Sequence, residues 1–571
     1  MSLLNKASLI QIPSGYKDGT LYSAKPTNGD GDFTFSRGSN LAATRVNSDG
    51  LIEKGRENLL LQSNSFNTGW TLTSGSSVTG GQTGYDGSSD AWLLTDSGNS
   101  SAYALYRGYT DTGVQTFSIY AKQNTTSQIE FDFLGGGGGY LRVELTNGSL
   151  HATNNTIDYN IQDVGSGWYR CSFAVNHTSA PALVRIGCNG AGSIFIQDAQ
   201  VEQGLVATKV IETGASTAQA GILEDMPRLD YSGGATCPSL LLEPSRVNFI
   251  TQSEYTGSYG KNETPVITDN AHISPEGVQN ATNLNIDSVS EGFFVFPTSV
   301  TSGTSYTISV FIKYIDGSQT IRFGHAGAGF GGDNNNVFNV STGVVVSESG
   351  GTCSVEDYGN GWYRLIATRT AAASSTGGLI LYGNAETNSN FAVYGFQMEA
   401  GSYPTSYIPT YGASVTRSVD SCSKTGISSL IGQTEGTLFV DFNDTGFTPS
   451  NASPYIEIYN DVNNRITIFK NISTQYQIVI RVSGITEVNI ISAGITGRVK
   501  LAFAYAVNNA VVYINGTQIG LDTSTTVPTC SSLYLGSSIT GTYQEVTNGT
   551  NQALLFPTRL TNDELASLTT L

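Results

Sequence analysis

The chain has 571 residues, 13% of them charged, with 46 acidic against 28 basic side chains and a formal net charge of −18. That length exceeds a single core and predicts about three to five domains, while the acidic balance disfavours nucleic acid and anionic membrane surfaces as partners. Four histidines, none spaced i, i+4, exclude a histidine-rich metal site, and six cysteines scattered singly from Cys171 to Cys530 read as buried free thiols.

Polarity comes from Ser, Thr, Asn and 66 Gly rather than from charge, which suits turns and strand surfaces of all-β modules. The start, Met1-Ser-Leu-Leu-Asn-Lys-Ala, lacks a signal-peptide core. No run of about 18 apolar residues follows, so a soluble chain without membrane insertion is expected. Residues 1–50 offer one strand at Leu9-Ile-Gln-Ile-Pro13, another at Asp30-Gly-Asp-Phe-Thr-Phe35, and a turn at Asn47-Ser-Asp-Gly50. The segment is too small for its own core, so it is expected to pack on the first module or to anchor the chain to a partner.

An internal repeat then organises the chain. Leu51-Ile-Glu53-Lys-Gly-Arg56-Glu-Asn58 returns, 190 positions on, as Leu241-Leu-Glu243-Pro-Ser-Arg246-Val-Asn248. Asp163-Val-Gly-Ser-Gly-Trp168-Tyr169-Arg170 returns as Asp357-Tyr-Gly-Asn-Gly-Trp362-Tyr363-Arg364, and Gln200-Val-Glu202 with Thr208 as Gln397-Met-Glu399 with Thr405. One module therefore occurs twice, over 51–216 and 241–414, with connectors at 217–240 and 415–432. Residues 433–571 differ. Short Val-, Ile-, Tyr- and Phe-rich runs between turns read as strands, and Asn515-Gly516 between two such runs predicts a tight hairpin. Thr561-Asn-Asp-Glu564 is a capping box opening a short helix with Leu565 and Leu568 on its apolar side. The expected fold class is all-β: three β-sandwich (jelly-roll) domains in tandem, with a short N-terminal anchoring segment and a short C-terminal helix.

Several of these segments resemble modular virion proteins of tailed bacteriophages. They are Thr44-Arg-Val-Asn-Ser-Asp-Gly-Leu-Ile52, Pro227-Arg-Leu-Asp-Tyr231 leading into Leu240-Leu-Leu-Glu-Pro-Ser-Arg246, and Arg417-Ser-Val-Asp-Ser-Cys-Ser423. The repeated unit resembles carbohydrate-binding-module β-sandwiches, closing on Ala400-Gly-Ser-Tyr-Pro-Thr-Ser-Tyr-Ile-Pro-Thr410; the first copy departs from that pattern over Gly204–Thr213. Residues 433–571 resemble a concanavalin A-like, laminin G-type jelly roll. The resemblance implies a structural component of the virion, a head or tail fibre on the particle surface, made in the host cytoplasm. Other virion proteins, a homo-oligomer (a trimer by analogy) and host surface polysaccharide are the implied partners.

No H-E-x-x-H, G-x-S-x-G or P-loop pattern occurs, so no catalytic residue, cofactor site or metal site is assigned and a non-enzyme is expected. Glu202 and Glu399, like Asp163 and Asp357, recur in both copies and read as scaffold. Calcium at Asp441 and Asp444 is the alternative considered for the third domain. The glycine runs Gly135–Gly139 and Gly327–Gly332 read as flexible inter-strand loops. Sugar binding needs an exposed aromatic face with polar neighbours. The candidates are Trp70, Trp92, Tyr140 and Phe330, with His325 as polar neighbour; Trp92 stands where the second copy has Thr282, and Trp70 where it has Gly260. Trp168 and Trp362, shared by both copies, read as core, with Arg170 and Arg364 paired to carboxylates. Three functions follow in order: a non-catalytic virion protein displaying lectin-like modules for host-glycan attachment, a polysaccharide depolymerase, and a purely architectural decoration or joining protein.

Overall fold

The computed structural model describes residues 3–39, 41–98, 103–180, 182–542 and 547–571. Strands dominate, with only two short α-helices, Leu3–Lys6 and Asn562–Thr569, among the described residues. The all-β expectation holds.

Each repeat is a sandwich of two six-stranded antiparallel sheets with one topology. In the first module the front sheet runs, in spatial order, Asp158–Gly165, Trp168–His177, Gly113–Gln123, Gly192–Gln203, Ala91–Asp96, Ser77–Gln82. In the second it runs Thr352–Asp357, Trp362–Thr370, Ser305–Asp316, Ser389–Ala400, Ala281–Ile286, Val266–His272. Alternation explains the cores. Along Gly113–Gln123, Phe117, Ile119 and Ala121 face inward, while Thr116, Ser118 and Tyr120 point to the front. Phe131, Phe133 and Phe173 meet Phe117 edge-on or tilted at 5.1–6.3 Å between centroids, a preferred aromatic geometry.

A strap after the last strand folds back across each front sheet, held by the residues that both copies share. Asn58 accepts from the amides of Leu60 and Val201 and donates to the carbonyls of Ala199 and Ile211. Asn248 repeats this with Ile250, Met398, Phe396 and Ile408. Glu202 accepts from the Thr208 amide (2.7 Å) and hydroxyl (2.6 Å), and Glu399 from those of Thr405 (2.8 and 2.7 Å). Arg170 and Arg364 donate to the Thr208 and Thr405 carbonyls. These residues are scaffold. Of the two arginines, Arg364 also stands 3.6 Å from a carboxylate, Glu356.

The third sandwich has sheets of eight and nine strands, and it recruits the rest of the chain. Leu9–Gln11 pairs antiparallel with Thr547–Phe556, and Phe33–Ser36 pairs with Ser421–Lys424. Arg228–Asp230 and Ser239–Leu241, in the first connector, extend the eight-stranded sheet. Residues 9–36 of the N-terminal segment thus pack on the last domain, not on the first module. Its apolar residues Leu9, Leu21, Phe33 and Phe35 could not cover one another in so short a piece, and they join the third core. The hairpin at Asn515-Gly516 forms with φ of 47° and 82°, and the capping box on Asn562–Thr569 is complete. The glycine run 135–139 is not slack: a Cβ at Gly137 or Gly138 would lie 2.2 Å from a backbone oxygen of Asn176 or Phe133. Close backbone packing, not mobility, requires those glycines.

Two buried charge clusters tie the pieces together. A hairpin of Thr44–Val46 and Ile52–Lys54 lies on the front of the second module, where the Ile52 amide donates to Pro275 O (2.9 Å) and its side chain joins Phe311, Trp362 and Tyr394. Lys54 there meets Glu254 at 2.5 Å and also Glu276. At the junction with the third sandwich, Arg37 and Arg228 converge on Asp420, while Arg228 and Arg417 converge on Glu243. All six cysteines are free; Cys237 is exposed and Cys353 partly so, contrary to the expectation of uniform burial.

Candidate functional site

The front face of the second module is covered by the hairpin; on that of the first, Tyr85 from its own loop and Val210 of the strap pack against Tyr120 and Trp168. The offset of 190 that aligns Ala91 with Ala281 sets Tyr85 opposite Pro275. Tyr85 therefore takes the place that Ile52 and its hairpin fill on the second copy. Its ring stacks on Tyr120 at 3.7 Å between centroids and 3° between planes. One ring face is thereby covered, and the residue is half-buried.

A tight turn, Gly84–Ser88, aims that ring. The Gly84 amide donates to Ser88 O at 3.0 Å, and a Cβ on Gly84 would sit 2.3 Å from Gln197 Oε1, so the turn lies close against the sheet. Gln197, fully buried, accepts from the Tyr85 amide (3.1 Å) and donates to Asp90 (2.8 Å). The Tyr85 hydroxyl donates to Asp198 Oδ2 at 3.1 Å. Burial, with Asp90, Glu212 and Asp86 nearby, pushes the Asp198 carboxyl up to about 6 against the pull of Tyr85. The Asp86 carboxyl is lowered, first by the Ser88 hydroxyl. The face thus presents a flat ring flanked by exposed Asp86, Asp90 and Glu212. That pairing of an apolar face with fixed acceptors suits a pyranose, whose C–H face stacks while its hydroxyls donate.

The sequence candidates are placed otherwise. Trp70 and Trp92 point between the sheets, where they cluster with Phe66. Their indole N–H groups donate to the carbonyls of Gln62 (3.0 Å) and Asn64 (2.9 Å). They clamp one loop from within the sandwich, Trp70 buried and Trp92 half-buried. Phe330 and His325 are fully buried against each other, ring centroids 4.6 Å apart. Burial pushes the His325 imidazole down to about 3, and Nε2 bonds the Tyr306 carbonyl at 3.0 Å. Both are core, because the 3-10 turn Ala328–Phe330 folds the ring inward. Tyr140 alone of the five keeps an outward ring. It lies on the opposite sheet from Tyr85, with the Arg142 guanidinium 5.8 Å from its centroid. Tyr85 was missed, although its replacement by Pro275 in the sister copy was the same kind of signal that selected the tryptophans.

The proposed calcium ligands do not fit a metal. Asp444 accepts from Lys470 (2.7 Å), Tyr476 (2.9 Å), Tyr455 (3.1 Å) and the Gly446 amide (2.7 Å). Asp441 is held bidentately by Arg498 at 3.1 and 2.7 Å. Cationic side chains occupy the places a calcium would need. Among the described residues no group of three or more His, Cys, Asp or Glu could hold a metal ion.

No family model and no curated protein matches this sequence. Among solved structures, the chain is similar to a CBM40 module of a Ruminococcus gnavus IT-sialidase, bound to α2,3-sialyllactose. The identity is 13%, covering 26% of this chain and 91% of that one, with a TM-score of 0.23. It is also similar to the tandem CBM22-1–CBM22-2 domain of Paenibacillus barcinonensis Xyn10C, at 13% identity over 60% of this chain and 98% of that one, TM-score 0.23. A third likeness is to a Trypanosoma rangeli sialidase, at 11% identity over 87% and 99% of the two chains, TM-score 0.22. Identities and scores this low transfer neither ligand nor activity from one chain to another.

Proposed function

We propose that this chain is a non-catalytic structural protein of a bacteriophage particle, a fibre or surface appendage of head or tail, whose first module binds host-surface glycan. The observation that carries the glycan reading is the half-buried Tyr85 ring, backed by Tyr120 and flanked by carboxylates. The resemblance of the Arg45, Arg228 and Arg417 segments to modular virion proteins supports the particle setting. A single shallow face binds weakly, so useful attachment comes from several copies held together, a homotrimer being the form proposed.

Glycan-array binding of the full chain, beside Tyr85→Ala, tests the reading. The signal of Tyr85→Ala should fall at least several-fold while the variant keeps a cooperative melting transition. Unchanged binding by Tyr85→Ala would remove the face from the account. Release of new reducing ends from host polysaccharide would instead establish a depolymerase, and attachment of the chain only to other virion proteins would establish a purely architectural role.

A further inference from the structure

A second candidate site lies away from the Tyr85 face and stands independently of it. The hairpin Thr44–Lys54, the loop after Asp230, the second module's turn Glu356–Asn360 and the third sandwich enclose a cavity of about 600 Å³. That volume lies within the roughly 300–1,000 Å³ range of small-ligand pockets. No single module builds it; it exists because the N-terminal hairpin and the first connector both fold back onto the junction.

Two of the acidic side chains that line it are Asp230 and Glu356. Asp230 takes one backbone amide on each oxygen, Val46 at 2.7 Å and Ser232 at 3.1 Å. Glu356 stands 3.6 Å from Arg364, with the carboxylates of Asp230 and Glu243 also nearby, and 37% of its side chain is exposed. Burial raises both carboxyls, that of Glu356 against the pull of Arg364. Tyr358, half-buried, stands edge-on to Phe311 at 4.8 Å and supplies an aromatic wall. Hydroxyl donors would satisfy the carboxylates and a C–H face would pack on the tyrosine. Arg45 and Arg364 line the space beside five carboxylates, Asp49, Asp230, Glu243, Glu356 and Asp357, so a cationic control accompanies the sugars.

We infer that this junction cavity binds the end of a glycan, one or two neutral sugar residues, with Asp230 and Glu356 accepting hydroxyl hydrogen bonds and Tyr358 packing against the ring. Saturation-transfer NMR on the full chain tests this, with lactose, cellobiose, maltose and N,N′-diacetylchitobiose as probes and spermidine as the cationic control. Three variants accompany it. Ser232→Trp blocks the mouth from an exposed position, Glu356→Gln removes a charge while keeping shape, and Tyr85→Ala disables the other face. At least one sugar should give signal in the wild type and in Tyr85→Ala, lose it in Ser232→Trp, and bind at least about tenfold more weakly to Glu356→Gln. Silence from all four sugars, or signal surviving in Ser232→Trp, overturns the inference. Signal lost only in Tyr85→Ala would also overturn it while leaving the front-face reading intact, and salt-sensitive binding of spermidine in place of sugar would refute the neutral-ligand chemistry.

Discussion

Replacing Asp420 with asparagine should loosen the junction between the second module and the third sandwich more than any surface change could. Asp420 accepts from Arg37 Nη1 at 3.2 Å, from Arg228 Nη2, and from the Glu243 amide at 2.9 Å. The side chains of Arg37, Arg228 and Asp420 have no exposed surface. Asparagine keeps the shape but removes the charge, leaving Arg37 without a carboxylate partner while Arg228 and Arg417 keep Glu243. Burial pushes the Glu243 carboxyl up, yet Arg417 and Arg228 overcome it and hold it well below the usual carboxylate range, so that anion already has its partners. An uncompensated buried charge costs about 3–5 kcal/mol. For a domain of this size that is roughly 6–20 °C in the transition that contains the third sandwich. Calorimetry of the full chain is the assay, read transition by transition because a chain of several domains does not melt in one step. Asp441→Asn is the control: its partner Arg498 is 53% exposed, so its loss should cost about 1 kcal/mol or less. Equal shifts in the two variants, or almost none in Asp420→Asn, would refute the claim that burial decides the value of these pairs.

Other outcomes follow from the same geometry. Asp198→Asn should stabilise the first module near neutral pH by about 1–3 kcal/mol and leave it unchanged near pH 4. The reason is one of sign: its folded-state carboxyl is raised to about 6, so stability is full below the unfolded value of about 3.9 and is lost as pH rises through about 6. Asparagine also tolerates the residue's positive φ of 52°; a stability difference independent of pH would count against this. His325 acts in the opposite direction. Its folded value is depressed to about 3, so the second module should keep full stability above about pH 6.5 and lose several kcal/mol as pH falls towards 3. His325→Asn should flatten that acid limb in a pH series of thermal melts. Trp70→Ala should destabilise the first module by about 3–5 kcal/mol, the range for a buried aromatic, so any loss of glycan binding in that variant must be read beside its melting curve.

Much of the fold was readable because it depends on local signals. Asn515-Gly516 demands a hairpin, Thr561 to Glu564 caps a helix, and the Trp-Tyr-Arg strands mark a duplicated unit. What a strand pairs with is not local. Nothing in Leu9-Ile-Gln11 points to Leu554 and Leu555, since hydrogen-bonded strands share backbone groups rather than complementary letters. The site misreadings have a related cause. In Ala91–Asp96 a step of one residue changes the face, so Ala91 meets Tyr120 at the front while Trp92 enters the space between sheets. A tryptophan that differs between copies is therefore as readily a core variation as a ligand platform.

The divergence between the copies has a direct physical reading. Both keep the same lock of Asn, Gln, Glu, Thr and Arg, which fixes the strap and leaves the front sheet needing a cover. The second copy receives that cover from outside, as Ile52 and Lys54 of the hairpin. Lys54 enters with its charge and meets Glu254 and Glu276 in a nearly dry site. A buried pair of this kind contributes little net stability over an apolar substitute, but a wrong docking register would leave charges unpaired at a cost of several kcal/mol. It therefore selects one register for the N-terminal hairpin. The first copy has no such hairpin on its front and supplies Tyr85 from its own loop. The front sheet proposed to meet a ligand is thus the one covered from within its own module, by Tyr85 and the strap's Val210, while the module covered by the hairpin lends its surface to the junction cavity.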